Sequence, residues 1–344
     1  MKILLGIIIF SFIILFHELG HFLVAKKCNV RVNEFMLGLG PKLFGIQRGE
    51  TLYSLHLLPF GGACVMEGEE EESEDDRSFA KKTVWQRIAI VFAGPLFNFI
   101  LAYILSVILI GAVGYYPATI GEVSEGSAAE AAGIEAGDQI VELNGYRVHF
   151  YQEISVYTFF HAGESLRVTY ERDGETNTVD LTPTYDEEAG RYLLGVTADG
   201  TKEHGNVFHV LKYGFYEIKY QIYVTVQSLK MLFTGQVGIQ DMSGPVGIVE
   251  AIGDTYDASV SSGAFYVAMN MISFMILISA NLGVMNLLPI PALDGGRILI
   301  YLVEVVRRKP MNQNLEAKIN FLGFALLMAL MVVVMYQDIM KLFH

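Results

Sequence analysis

The pentapeptide His17-Glu18-Leu19-Gly20-His21 lies inside an apolar stretch, Ile3–Val24, that is long enough to cross a bilayer. No other feature constrains the fold as strongly. Two imidazoles and a carboxylate are costly to desolvate, so a chain that places them in hydrocarbon must supply partners for all three. On a helix, residues four apart share a face. His17 and His21 can therefore hold one metal ion, while Glu18, beside them, can take a proton from water. The motif predicts a metal-dependent hydrolytic site at membrane depth.

The rest of the chain agrees with a membrane setting. Its 344 residues are 52% hydrophobic, with a mean hydropathy of +0.40, more apolar than a wholly soluble protein of this length. Three further stretches read as spans: Val84–Val113, Phe265–Leu288 and Phe321–Met335, the last extended at both ends. Lys2 ahead of an apolar core gives the first stretch the look of a signal peptide. No convincing small-residue cleavage site follows it, so it is expected to be retained.

A net charge of −13 argues against nucleic acid as a partner, and the basic residues alone indicate orientation. Lys26, Lys27, Arg31, Lys42, Arg48, Lys81, Lys82 and Arg87 fall between the first two spans; Arg297, Arg307, Arg308, Lys309 and Lys318 fall between the last two. Both loops are expected to face the cytosol, which puts the acid-rich region 115–257 and both termini outside; Lys341 is a small contrary signal. Cys28 and Cys64 both lie in the first cytosolic loop, where thiols stay reduced, and no disulfide is expected. Cys28 is read as a free thiol in preference to a metal ligand.

Along the chain, residues 33–44 and 51–60 flank a turn at Gln47-Arg48-Gly49-Glu50 and predict a β-hairpin, apolar enough to be buried at the membrane. The acidic run Glu67–Asp76 reads as a solvated connector. In the second span, Pro95 frees a backbone carbonyl and kinks the helix, and Asn98 needs a partner in lipid. The intervening region turns polar and β-rich. Ser127–Ile134 predicts a short helix ended by glycine, Gly137–Gly145 a turn, a strand and an Asn-Gly hairpin turn, and residues 166–171 and 178–182 further strands joined by Asp173-Gly174. This stretch resembles a bacterial PDZ domain, a fold that binds chain ends or extended peptides by strand addition. The Tyr-rich pattern at 207–233 suits a helix lying at the interface better than a span, although a short extra span there is the main alternative.

Two histidines do not complete a catalytic zinc site, which usually has three protein ligands and an open position. Asp294 is the strongest candidate for the third, because Asn281–Gly296 carries the chain from an apolar span into a segment broken by Pro289 and Pro291, with Gly295-Gly296 expected to let the backbone turn. An aspartate in such a place also serves as a helix cap, and spacing alone does not choose between the two.

HExxH in the first span, Ala93-Gly94-Pro95-Leu96-Phe97-Asn98 in the second, one PDZ-like insertion, Ser243-Gly244-Pro245-Val246-Gly247 and the segment Asn286–Arg297 follow one another over essentially the whole chain. Together they resemble the site-2 protease family of intramembrane metalloproteases, in its bacterial single-PDZ branch. The resemblance implies one catalytic Zn²⁺ held by His17, His21 and Asp294, with Glu18 as the base. It also implies a membrane-re-entrant hairpin at about 32–66 that pairs with unwound substrate, where Gly61 and Gly62 permit close approach. Asn286 is a candidate oxyanion donor, Asn98 a second polar candidate for the substrate region.

The expected fold is a polytopic α-helical membrane protein with about four transmembrane helices, a re-entrant β-hairpin and an inserted α+β PDZ domain. Its parts are residues 1–113 (catalytic, N-terminal), 116–200 (PDZ), 205–262 (interfacial linker) and 263–344 (catalytic, C-terminal). The resemblance further implies multi-pass placement in the bacterial cytoplasmic membrane among lipid. Its substrates would be single-span proteins, such as anti-sigma factors, or remnant signal peptides, trimmed first by an upstream site-1-type protease. A catalytically silent membrane adaptor is the alternative; it gives no reason to combine the two histidines, the glutamate and the aspartate.

Overall fold

A computed structural model of the chain describes residues 2–69, 73–238, 242–309 and 311–341. These form two compact units, residues 1–105 with 228–344, and residues 106–227. The chain begins with α1 (Lys2–Lys27), β1 (Val32–Arg48), β2 (Thr51–Met66) and α2 (Val84–Val113). The second unit follows with β3 (Ile120–Val123), α3 (Ala128–Ala131), β4 (Gln139–Leu143), β5 (Tyr146–Arg147), α4 (Tyr151–Phe160), β6 (Leu166–Arg172), β7 (Glu175–Leu181), β8 (Thr184–Asp186), β9 (Arg191–Leu193) and β10 (Val196–Ala198). Helices α5 (Val207–Phe233), α6 (Pro245–Val260), α7 (Ala264–Asn286), α8 (Asp294–Arg307) and α9 (Gln313–Lys341) complete it.

Among the described residues, four helices are long and apolar enough to cross a membrane: Lys2–Lys27, Val84–Val113, Ala264–Asn286 and Leu315–Lys341. They fall on the four expected stretches, and α9 extends its stretch at both ends. α5 is one unbroken helix of 27 residues that does not reach the hydropathy of a span.

The predicted hairpin is more elaborate than two strands. Its turn falls at Gly49-Glu50, where Gly49 takes φ 64°, but each arm also bends, near Gly38 and Gly40 in β1 and near Gly61 in β2. Glu34–Leu37 consequently has partners on both sides. Against Leu52–Leu55 the residue numbers rise together; against Val65–Gly62 they run oppositely. Two bent strands make a sheet four segments wide, and its outermost segment, Gly62–Met66, pairs on one side only among the described residues.

The acidic run is less solvated than expected at Glu67, Glu69 and Asp75, which have side-chain partners, while Glu74 and Asp76 are exposed. Glu67 accepts from Asn33 and Ser73, Glu69 pairs with Arg297 and Asp75 pairs with Arg31 and Arg77. Glu70, Glu71 and Glu72 lie outside the described residues.

In the second unit β5-β4-β6-β7 form one sheet and β10-β3 a separate pair, over a core that includes Ile120, Leu143, Ile154 and Leu166. Both predicted two-residue turns are present: Asn144-Gly145 joins β4 to β5 and Asp173-Gly174 joins β6 to β7, all four residues at positive φ, as a right-twisted hairpin requires. Arg172 clamps the buried Asp138 through two of its nitrogens, at 2.6 and 2.8 Å, and so ties the end of β6 to the start of β4.

Glu153, 1% exposed, anchors α4 of this unit by accepting from Tyr146 Oη at 2.6 Å, the Phe150 backbone N–H at 3.0 Å and the His149 N–H. Burial pushes its pKa up, but the hydrogen bonds from His149, Tyr146 and the backbone outweigh burial and hold the carboxyl below its ordinary value. A depressed folded-state pKa means the stabilisation is complete above the unfolded value of about 4.3 and disappears as pH falls through the folded value. Glu153→Gln is expected to destabilise the unit by about 1–3 kcal/mol at pH 7. Thermal unfolding of both proteins between pH 7 and pH 3 should show that difference narrowing in acid.

Candidate metal centre

The four residues expected at the reaction centre come from two helices and are brought together by a third. His17 and His21 lie one turn apart on α1, both 8% exposed, with their Nε2 atoms 3.2 Å apart. Asp294 Oδ2 stands 3.2 Å from His17 Nε2 and 3.6 Å from His21 Nε2. This buried oxygen accepts no well-formed hydrogen bond. The capping alternative also fails, since Leu293 occupies the N-cap of α8 and Asp294 is the first helical residue.

Where both Nε2 atoms are unprotonated, three acceptor atoms face one another and repel unless a cation lies among them. Zinc bonds of about 2.0–2.2 Å in tetrahedral geometry set ligand atoms roughly 3.3–3.5 Å apart, close to the separations found here. The donor set therefore fits a catalytic zinc ion: two imidazoles, one carboxylate and a fourth position toward a cavity of about 790 Å³. Neither cysteine belongs to this cluster, and both thiols are free.

The close approach of α2 is what makes room for the cluster. Ile90, Gly94 and Asn98 are spaced four residues apart and so form one stripe along this helix. The Ile90 carbonyl accepts from His21 Nδ1 at 2.9 Å, which leaves Nε2 bare and free to face a metal ion. Gly94 is the gap: a Cβ there would lie 2.3 Å from His21 Nε2 and 2.7 Å from His17 Cε1. Gly20 makes the reciprocal gap in α1, where a Cβ would stand 2.3 Å from the Ala93 carbonyl oxygen. Asn98, fully buried, reaches His17 Nδ1 at 3.0 Å. Pro95 lies within this helix without ending it, and having no N–H it leaves the Val91 carbonyl without its usual helical donor.

Asp294 depends on a different set of supports. Leu287–Leu293 is non-helical, but its left-handed residue is Ala292, at φ 74°. Gly295 and Gly296 do not turn the chain as the sequence suggested; they are buried inside α8, where Cβ atoms would come within 2.3 Å of the Leu287 and Leu288 carbonyls and 2.2 Å of the Ile290 carbonyl. The preceding loop is packed so tightly on the first turn of α8 that only glycine fits. α9 braces the same loop, since Gly323 meets the Pro291 carbonyl and Asn320 accepts from the Ala292 N–H. At the far end of α8, Glu304, 4% exposed, pairs with Arg87 of α2, whose guanidinium lies 4.6 Å from the Tyr301 ring centre.

The remaining candidates separate by position. Asn286 and Gly62 line the same cavity as the cluster, and a Cβ on Gly62 would meet Glu18 Cγ at 3.2 Å. Cys64 and Glu18 line this cavity too, so the outer segment of β2 runs directly past the Glu18 side chain. Gly61 occupies the bend, at φ 89°. Asn98 lies on the Nδ1 side of His17, opposite the Nε2 that faces Asp294, and does not line the cavity. Asn320, Gly323 and Glu304 were not singled out from sequence, and Arg87 was read only as a basic residue of the first loop. For Glu304, the signal available was a carboxylate in an otherwise apolar run.

Residues 5–330 match the model of peptidase family M50. The chain belongs to that family. A Clostridium acetobutylicum protein carrying the zinc-metalloprotease name is 40% identical over 338 residues, covering 98% of this chain and 97% of that one. Zinc metalloprotease RasP of Geobacillus kaustophilus is 33% identical, with 98% and 97% covered, and the regulator of sigma-W protease RasP of Bacillus subtilis is 30% identical, with 98% of each covered. Among solved structures, the PDZ domain of an SdrC-like protein from Listeria monocytogenes is 22% identical, covering 25% of this chain and 90% of that one at a TM-score of 0.22. This M50 chain is thus a zinc metalloendopeptidase of the site-2 protease type, which decides against the silent adaptor.

Gly94→Ala in this M50 chain is expected to lower zinc affinity and peptidase activity by about 100-fold or more, even though alanine favours helix, because the added methyl overlaps the ligating edge of His21. Zinc content after dialysis, measured beside the helical circular dichroism, checks this; unchanged zinc content would contradict it.

Proposed function

We propose that His17, His21 and Asp294 hold the zinc of this protease, that Glu18 is its general base, and that it cleaves transmembrane segments which pair with the open edge of β2 as they unwind. The observation that carries this reading is the convergence of Glu18, the candidate ligand cluster and the segment Gly62–Met66, which among the described residues is paired on one side only, on one cavity. A bound zinc supplies a Lewis acid for the scissile carbonyl and for water, whose pKa such an ion lowers from about 15.7 toward about 7. Glu18, which lines the cavity beside the cluster, would accept the proton from the attacking water and return it to the departing amine. Asn286, at the end of α7, is placed to donate to the carbonyl oxygen as charge develops there.

A membrane-spanning substrate hides its scissile carbonyls in helical hydrogen bonds, and unwinding it in lipid exposes backbone groups that need new partners. Strand addition to Gly62–Met66 supplies them, which favours a hairpin that re-enters the membrane. The basic residues support a cytosolic position for the loops bearing the hairpin and α8, and an outer position for the PDZ-like unit and both termini. In that position the PDZ-like unit would exclude bulky ectodomains or inspect the new chain end, in keeping with substrates that are single-span proteins or signal-peptide remnants already shortened by another protease. The Bacillus subtilis relative is named for regulating sigma-W, which supports anti-sigma factors as one substrate class.

Reconstituted wild-type protein is expected to cut a short single-span substrate within its apolar segment, as mapped by mass spectrometry. Glu18→Gln should reduce the rate by about 10²–10⁴-fold. Equal cleavage by both proteins would remove Glu18 as the base, and cuts confined to extramembrane residues would refute the intramembrane reading.

A further inference from the structure

We infer that Asn98 is a positioning residue that sets the tautomer of His17 and so directs its Nε2 to the metal. The inference rests on the assignment of His17 as a ligand and adds a role to a residue that does not face the cavity.

The two histidines are held from behind by the same helix in different ways. His21 Nδ1 meets a backbone carbonyl, which can only accept, so the proton sits on Nδ1 and Nε2 is free to ligate. His17 has no such carbonyl. Its Nδ1 meets the side-chain amide of Asn98, two turns along the helix from Ile90, in a fully buried position. An amide has two faces, related by a 180° turn about its last bond. With Nδ2 toward the ring at 3.0 Å, Asn98 donates to Nδ1, which places the His17 proton on Nε2 and blocks ligation; in this rotamer Oδ1 is buried and has no hydrogen-bond partner. With Oδ1 toward the ring, Asn98 accepts from Nδ1–H, and Nε2 presents its lone pair to the metal.

Zinc binding through Nε2 therefore selects the second rotamer and gives Oδ1 the partner it otherwise lacks. The amide is well fixed for this task. The Asn98 backbone carbonyl accepts from Ser279 Oγ at 2.8 Å, which ties this turn of α2 to α7, and both residues are fully buried. The helix position cannot drift without losing that bond.

The test compares Asn98→Leu, which cannot accept, with Asn98→Asp, which can only accept. Zinc affinity is measured by chelator competition on purified full-length protein in detergent. Cobalt substitution reports ligand geometry through its visible absorption, and thermal unfolding reports fold. Asn98→Leu should bind zinc about 10–100-fold more weakly than wild type, with an altered cobalt spectrum. Asn98→Asp should bind at least as tightly as wild type and keep the spectrum.

Wild-type affinity in Asn98→Leu, or equal losses in both variants, would overturn the positioning role. His17→Ala separates this from the ligand assignment beneath it. If His17→Ala binds zinc like wild type, the ligand reading itself fails; if it loses zinc while Asn98→Leu does not, only the inference about Asn98 fails.

Discussion

Three buried ligand atoms that share one space repel through their lone pairs once both imidazole Nε2 atoms are bare, unless a cation joins them, and the rest of the membrane unit is arranged to hold His17, His21 and Asp294 in that confrontation. Two histidines one turn apart need only a helix. Bringing a carboxylate from residue 294 to them requires that α7 end, that the chain double back through Leu287–Leu293 and that a new helix start with Asp294. Each step has a specific support: glycines 295 and 296 against the loop carbonyls, Asn320 and Gly323 of α9 behind the loop, and the buried Arg87–Glu304 pair at the other end of α8. Removing one member of such a pair costs about 3–5 kcal/mol, enough to loosen the register of α8 against α2.

α2 links this framework to function. Along one stripe it offers a carbonyl to His21, a gap at Gly94 for both rings, and an amide to His17. In lipid there is little hydrophobic drive for helices to associate, so close approach at small residues and buried polar contacts must do that work. The Gly20 and Gly94 crossing combines the two, since the approach that packs the helices also brings the polar partners within reach of the ring nitrogens. A similar economy holds α6, whose first turn is held by Asp338 of α9 through the backbone N–H groups of Gly244 and Gly247, at 3.1 and 2.9 Å. This bond gives the Ser243–Gly247 motif a structural purpose.

What could be read in the sequence followed from short-range rules. HExxH declares a shared helical face because the spacing is local, the spans declare themselves by length, and the Asn-Gly and Asp-Gly turns by their need for positive φ. What could not be read depended on contacts between distant residues. Nothing local distinguishes Asp294 as ligand from Asp294 as cap until Leu293 is seen to occupy the N-cap, with Asp294 the first residue of α8. Gly295-Gly296 looked like a turn because glycine serves both for unusual dihedrals and for close approach, and only the packed loop shows that the second applies. The hairpin was legible but its folding back was not, because pairing between Glu34–Leu37 and Leu52–Leu55 needs the bends at Gly38, Gly40 and Gly61. Asn98 was conspicuous as a polar residue in lipid, but its position behind the ring needed coordinates.

The coordination of the metal in the purified protein offers the most direct check on the central arrangement. X-ray absorption at the zinc edge should show one zinc ion per chain with nitrogen and oxygen scatterers at about 2.0–2.2 Å, an outer-shell pattern of two imidazoles, and no sulfur near 2.3 Å. A sulfur shell would bring Cys28 or Cys64 into the site, and a pattern of one imidazole or none would contradict the convergence of α1 and α8 on a single ion.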